Sequence, residues 1–196
     1  MERYPTAEII KLLQEKNLSL FTLADFGRLF KIDKIGTTYK KIQRLEKKGF
    51  VKKLIKGKYL FVLNQPNDFL IANFLCQPSY ISLESALSFY GLITGFPYQI
   101  TSITTKKSKS FLIDGREFRY SQINNHLFWG FEKKEDFLIA KKEKALFDFL
   151  YFAAKGLRKI DSDEFDLTSI NKKTIKEYLT QGANQKMLKL AKELRT

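Results

Sequence analysis

Apolar positions in the first third of the chain recur first at helical spacing and then at every second residue. Ile9, Ile10 and Leu13 share one face of a helix that starts near Pro5, a residue favoured in first turns, and ends near Asn17. Thr22 caps a second helix, with Asp25 three residues on in capping-box spacing, and Phe26, Leu29 and Phe30 form its dry stripe. After a short link containing Gly36, the pattern predicts a third helix from Thr37 to Lys48. At about 100° per residue, Ile35, Tyr39, Ile42 and Leu45 cluster on the inward side of this helix. Thr37, Lys40, Arg44 and Lys47 lie opposite, flanked by Lys41 and Lys48. Gly49 suits a left-handed helix end. Two extended runs follow, Phe50–Ile55 and Lys58–Leu63, joined around Lys56-Gly57 as a hairpin.

The polar stretch around Pro66 marks a domain boundary, giving an N-terminal domain over 1–66 and a second over 67–196. Beyond it, Phe69–Cys76 reads as a short apolar helix stopped by Pro78. Ser82–Leu92 reads as a helix capped by Ser82. Tyr98–Thr105 is rich in β-branched residues and predicts a strand. Phe111–Ile113 and Glu117–Ile123 flank Asp114-Gly115, a strong hairpin signal, and Leu127–Phe131 adds a short strand. A long helix over Asp136–Ala154 and two more, Asn171–Thr180 and Ala183–Leu194, complete the chain. The fold class is α+β. Helix, helix, basic helix and basic hairpin describe a winged helix-turn-helix, followed by an α+β domain with a small antiparallel sheet and C-terminal helices.

Charge sharpens this picture. The segment from Lys34 to Lys58 holds ten Lys or Arg against one acid, Glu46, within a chain whose net charge is +14. A surplus concentrated on one helix face and its neighbouring hairpin predicts a double-stranded DNA partner. Thr37, Lys40, Lys41, Arg44, Lys47 and Lys48 are the helix candidates. Arg44 is the residue among them able to make a planar bidentate contact to guanine. Lys52, Lys53, Lys56 and Lys58 are candidates for phosphate contacts from the hairpin.

Candidate chemistry is sparse. Cys76 is the only cysteine, which excludes an internal disulfide, and its apolar neighbours predict a buried thiol. His126, the only histidine, sits beside Asn124-Asn125 as a surface residue, so paired-histidine metal sites and Ser-His or Cys-His nucleophile pairs are not expected. Asp114 and Glu117 resemble the acid pairs of metal-dependent nucleases, but a tight turn and a solvated strand account for both. Asp161, Asp163, Glu164 and Asp166 read as a solvated loop. No enzyme activity, cofactor or metal is expected. The N-terminus lacks the apolar core of a signal peptide, and no stretch approaches the roughly 18 apolar residues of a membrane span. The expectation is a cytoplasmic protein with no membrane partner.

Two later phrases add a resemblance. Tyr80, Ile81, Ser82, Ser85 and Ala86 match a Tyr-Ile-Ser-x-x-Ser-Ala phrase, and Lys144, Ala145, Leu146 and Asp148 match Lys-Ala-Leu-x-Asp. With Leu45 to Gly49 and Gly57, Lys58 and Tyr59 ahead of them, the chain resembles the AbiEi-type antitoxins, transcriptional regulators of bacterial abortive-infection toxin–antitoxin systems. The resemblance implies a repressor of its own toxin–antitoxin operon that binds inverted repeats in the promoter. It further implies a second domain that counteracts a nucleotidyltransferase toxin. Ser82, Ser85, Glu143, Lys144 and Asp148 are the interaction candidates there, with Glu143, Lys144 and Asp148 also suited to exposed i,i+4 pairing. The alternative functions are a ligand-sensing transcription factor without a toxin partner, and a nuclease using Asp114 and Glu117.

Overall fold

The computed structural model describes residues 4–182 and 184–194. They form an α+β protein that divides into two compact units, Met1–Leu75 and Cys76–Thr196. The sequence places the division after Pro66; in the structure the helix Asp68–Leu75 belongs with the first unit.

In the first unit, α1 (Thr6–Glu15) is followed by a short strand β1 (Leu20–Thr22) that the sequence reading lacks, then α2 (Leu23–Leu29) and α3 (Ile35–Lys47). Thr22 builds the expected capping box on α2. Its hydroxyl accepts from the Asp25 amide at 3.1 Å, and the Asp25 carboxylate accepts from the Thr22 amide at 2.9 Å. At the end of α3, Gly49 has φ 77°; the Phe50 amide donates to the Leu45 carbonyl and the Gly49 amide to that of Glu46. This is a Schellman turn, and it redirects the chain into the hairpin of β2 (Val51–Ile55) and β3 (Lys58–Phe61). The three strands form an antiparallel sheet in the order β1-β3-β2, with Leu20 opposite Leu60 and Lys53 opposite Tyr59. Ile9, Leu13, Phe21, Phe26, Phe30, Ile42, Leu45, Val51, Tyr59 and Phe61 make one core. The helix α4 (Asp68–Leu75) ends the unit.

The second unit holds a six-stranded sheet in the order β6-β7-β5-β4-β9-β8. Its strands are β4 (Ser79–Ile81), β5 (Ile100–Thr104), β6 (Lys109–Ile113), β7 (Arg116–Gln122), β8 (Phe131–Lys134) and β9 (Phe137–Ala140). The sheet is larger than expected, and mixed rather than antiparallel. β6 and β7 form the expected hairpin at Asp114-Gly115, but β6 lies outermost, so β7 inserts beside β5 and runs parallel to it. β4 likewise runs parallel to β9. The helices are α5 (Leu83–Phe89), α6 (Lys142–Ala154), α7 (Lys172–Gly182) and α8 (Gln185–Glu193). Ala183, the expected first residue of the last helix, lies outside the described residues.

Two expectations here are corrected. The strand expected over Leu127–Phe131 lies instead at Phe131–Lys134, after a 3-10 turn over Asn125–Leu127. The front of the expected long helix is the strand β9, hairpinned to β8, and α6 begins only at Lys142. From Glu143 to Ala154 every residue of α6 is buried, which makes it the central helix of the unit.

Candidate nucleic-acid interface

The phase of α3 sets the character of its two sides. Thr38, Ile42 and Leu45 are buried at successive i, i+4 and i+7 positions. Ile35 and Tyr39, expected to pack inward, are 72% and 42% exposed. Ile35 lies a turn beyond the core on the same face, and Thr38 takes the inward position that Tyr39 was assigned. Thr37, Lys40, Arg44, Lys47 and Lys48 lie on the exposed side, with half-buried Lys41 at its margin. The Lys41 ammonium donates to the Tyr4 carbonyl at 3.3 Å, and that of Lys48 donates to the Thr6 hydroxyl at 3.0 Å, so the start of α1 and the residue two positions ahead of it steady these side chains.

Along this side runs an open groove of about 520 Å³, lined by Lys31, Lys34, Thr37, Lys40, Lys41 and Arg44 with Asp33 between them. Lys31 and Lys34 come from the turn between α2 and α3. They were not singled out from the sequence, because helix phase assigns no face to turn residues. Lys31 has φ 50°, a left-handed turn conformation, and the charge run reaching back to Lys34 was the available signal. On the hairpin, Lys53 and Lys56 are exposed and Lys52 is half-buried.

Lys58 behaves differently from its assignment. Its ammonium donates to the carbonyls of Phe74 and Leu75, the latter at 3.2 Å, and lies 5.0 Å from the centre of the Phe74 ring. A cation among the last carbonyls of a helix is favourably placed against the helix dipole. Lys58 therefore ties α4 to the hairpin. The remaining cations form a broad positive surface fit for a polyanion.

The five interaction candidates of the second unit are not on its surface. Ser82, Ser85, Glu143, Lys144 and Asp148 are all buried. Asp148 accepts from the hydroxyls of Ser82 at 2.8 Å and Tyr80 at 3.0 Å, and its other oxygen pairs with the Lys144 ammonium. The expected exposed i,i+4 pairing is thus a buried ion pair between two fully covered side chains. The rings of Trp129 and Phe147 stand 4.7 and 4.9 Å from the Lys144 ammonium. Gly130, at φ 72°, lies so close that an added Cβ would sit 3.0 Å from the Lys144 side chain. Burial drives the Lys144 ammonium below its ordinary pKa and the Asp148 carboxyl above its own; the pairing opposes both shifts, and the Ser82 and Tyr80 hydroxyls oppose that of Asp148. Burial beside Asp148 also drives the Tyr80 phenol well above its ordinary value.

Ser82 precedes α5 without capping it, since its hydroxyl is committed to Asp148. Ser85 bonds the backbone at the start of β5, donating to the carbonyl of Gln99 just ahead of it and accepting from the Thr101 amide. Glu143 accepts from the Asn171 amide at 3.0 Å, just ahead of α7. These residues join β4, α5, β5, α6 and α7, and they cannot meet a partner while the unit is folded.

Cys76 is buried and His126 is exposed in the 3-10 turn. Asp114 occupies the hairpin turn at φ 53°, and Glu117 pairs with Arg119 at 3.2 Å. Among the described residues, no three His, Cys, Asp or Glu side chains are grouped so as to hold a metal ion, and no helix is long and apolar enough to cross a membrane. No protein-family model matches the chain, and no curated protein sequence matches it.

Proposed function

We propose that this chain is a sequence-specific DNA-binding repressor whose first unit is a winged helix-turn-helix. In this reading α3 enters the major groove and the β2–β3 hairpin is the wing. The observation that carries the reading is the opposition of the two sides of α3: Thr38, Ile42 and Leu45 in the core, Lys40 and Arg44 in the solvent-facing groove. Solvation alone does not require a cationic side to coincide with the third helix and continue onto a following hairpin. Lys40, Lys41 and Arg44 are the base-reading candidates. Lys52, Lys53 and Lys56 hold phosphates.

The resemblance to the AbiEi-type antitoxins supports the further reading that the repressed operon is the chain's own. The partners are then promoter inverted repeats and, in function, a nucleotidyltransferase toxin. Because the matched phrases of the second unit are interior residues, any toxin contact uses other surfaces.

The test is fluorescence anisotropy on DNA from upstream of the chain's own gene, against shuffled DNA, across a salt series. Neutralising about 6–8 phosphates predicts a log–log slope of about −5 to −7. The double variant K40E/R44E is expected to bind the upstream DNA at least about 100-fold more weakly, as loss of two groove contacts with charge reversal implies. Unchanged affinity in that variant, or a slope near zero, overturns the assignment. Rescue of a co-expressed toxin by K40E/R44E separates the antitoxin role from repression.

A further inference from the structure

We propose that Ile35 and Tyr39, at the start of α3, read the 5-methyl groups of thymines in the major groove. The inference rests on the DNA-binding reading and adds apolar base contacts to its cationic ones. Ile35 is the first residue of α3, and Tyr39 follows one turn later, about 40° away around the axis. Both are exposed, while Thr38, Ile42 and Leu45 are buried. A single apolar side chain at a surface needs no explanation. Two on one stripe do when they open the third helix, because the first residues of a helix laid into the major groove are those that meet base edges.

The surroundings hold this end of α3 in place and keep it open. Gly27 on α2 lets the two helices approach closely: a Cβ there would stand 3.3 Å from the Ile32 carbonyl and 3.5 Å from the Thr38 hydroxyl. Ile35 lines an open groove of about 630 Å³ with Leu23 and Ala24 of α2, and Arg28 and Lys31 line it too. Lys31 also lines the cationic groove along α3, so the apolar and the cationic surfaces are continuous.

Charge chooses the occupant. A second copy of the chain, at net charge +14, brings the same Lys31, Lys34 and Lys40 to the contact and is repelled. A duplex brings phosphates to those cations, and the thymine methyl is the apolar group its major groove displays. The Ile35 side chain has no polar atom, so it can neither donate to guanine nor pair with adenine; what it can do is displace water from a methyl group. Tyr39 offers the side of its ring to the same end and keeps its hydroxyl in water.

Fluorescence anisotropy of the full chain on two versions of the upstream duplex tests this, one with thymine and one with uracil, which lacks the 5-methyl group. The parent chain is expected to bind the uracil duplex about 3- to 20-fold more weakly, the span covering about one or two contacted methyls. I35A/Y39A is expected to lose a similar factor on the thymine duplex and nothing further on the uracil duplex. I35A alone, at the more exposed position, is expected to lose part of that factor with an unchanged thermal midpoint. Equal binding of both duplexes by the parent chain, or the same discrimination in I35A/Y39A as in the parent, overturns the proposal. The DNA-binding reading then stands if K40E/R44E still loses the upstream duplex. A parent chain that shows no preference for upstream over shuffled DNA overturns both. A changed oligomeric state of I35A/Y39A in light scattering, with thymine still told from uracil, also overturns the proposal and makes the patch a contact between copies.

Discussion

Lys144 and Asp148 stand one helical turn apart, with neither exposed. A carboxyl whose folded pKa is raised lends stability at pH below its unfolded value and loses it as pH rises. An ammonium whose folded pKa is lowered does the reverse, lending stability above its unfolded value and losing it as pH falls. Burial moves both groups in these directions, so near neutral pH the charged pair opposes folding by its desolvation, while Tyr80 and Ser82 secure its geometry. Removing one partner by D148N or K144M should cost about 3–5 kcal/mol in urea unfolding, and K144M/D148N should regain most of it. Additive losses would show that the pair is not coupled. Asp25 illustrates the opposite sign. Burial acts to raise its pKa, yet the Thr22 hydroxyl and amide and the Arg28 guanidinium hold it below the usual 3.8. Its contribution is present above 3.8 and lost as pH falls through the lower folded value. D25N should therefore cost about 0.5–2 kcal/mol at neutral pH, with the gap to the parent chain closing in acid. The capping box was legible because its two residues speak to each other locally. The buried pair was not, because four-residue spacing on a helix looks the same whether the helix is at the surface or in the centre.

Among the elements, the hairpin β2–β3 carries lysines with two different duties. Lys53 and Lys56 point to solvent, whereas Lys58 holds the end of α4. K53Q/K56Q should flatten the log–log salt slope of DNA binding by about 2 with little loss of stability. K58Q should leave the slope unchanged and lower the thermal midpoint instead; a flattened slope would return Lys58 to the DNA surface. The helices of the first unit were readable from period and capping, and the β6–β7 hairpin from its Asp-Gly turn. The strands β1 and β4 escaped because three residues are too few to show a period. β9 escaped for another reason: Phe137–Ala140 is an unbroken apolar run directly ahead of a helix, and periodicity cannot separate a buried strand from a buried helical turn. The mixed sheet was equally hidden, since strand order depends on which strand the β6–β7 hairpin lays against β5.

At the level of the whole molecule, the core of the first unit draws every member from between Ile9 and Phe61, so its stability is local to that stretch. The fragment Met1–Leu75 should unfold in one cooperative transition and bind the upstream DNA with a salt slope within about 1 of the full chain. A fragment that circular dichroism shows to be unfolded would make the second unit a requirement for the first. The second unit raises a different matter. Its sheet is open, with β6 on one side and β8 on the other, and Leu112 on β6 is 75% exposed. An uncovered strand is a template onto which another chain can crystallise as fibril. Lys109 on β6, and Lys133 and Lys134 on β8, set like charge against like whenever two such borders approach. Neutralising these three lysines by acetylation removes that repulsion and is expected to raise light scattering on incubation, as one chain grows end upon end on another.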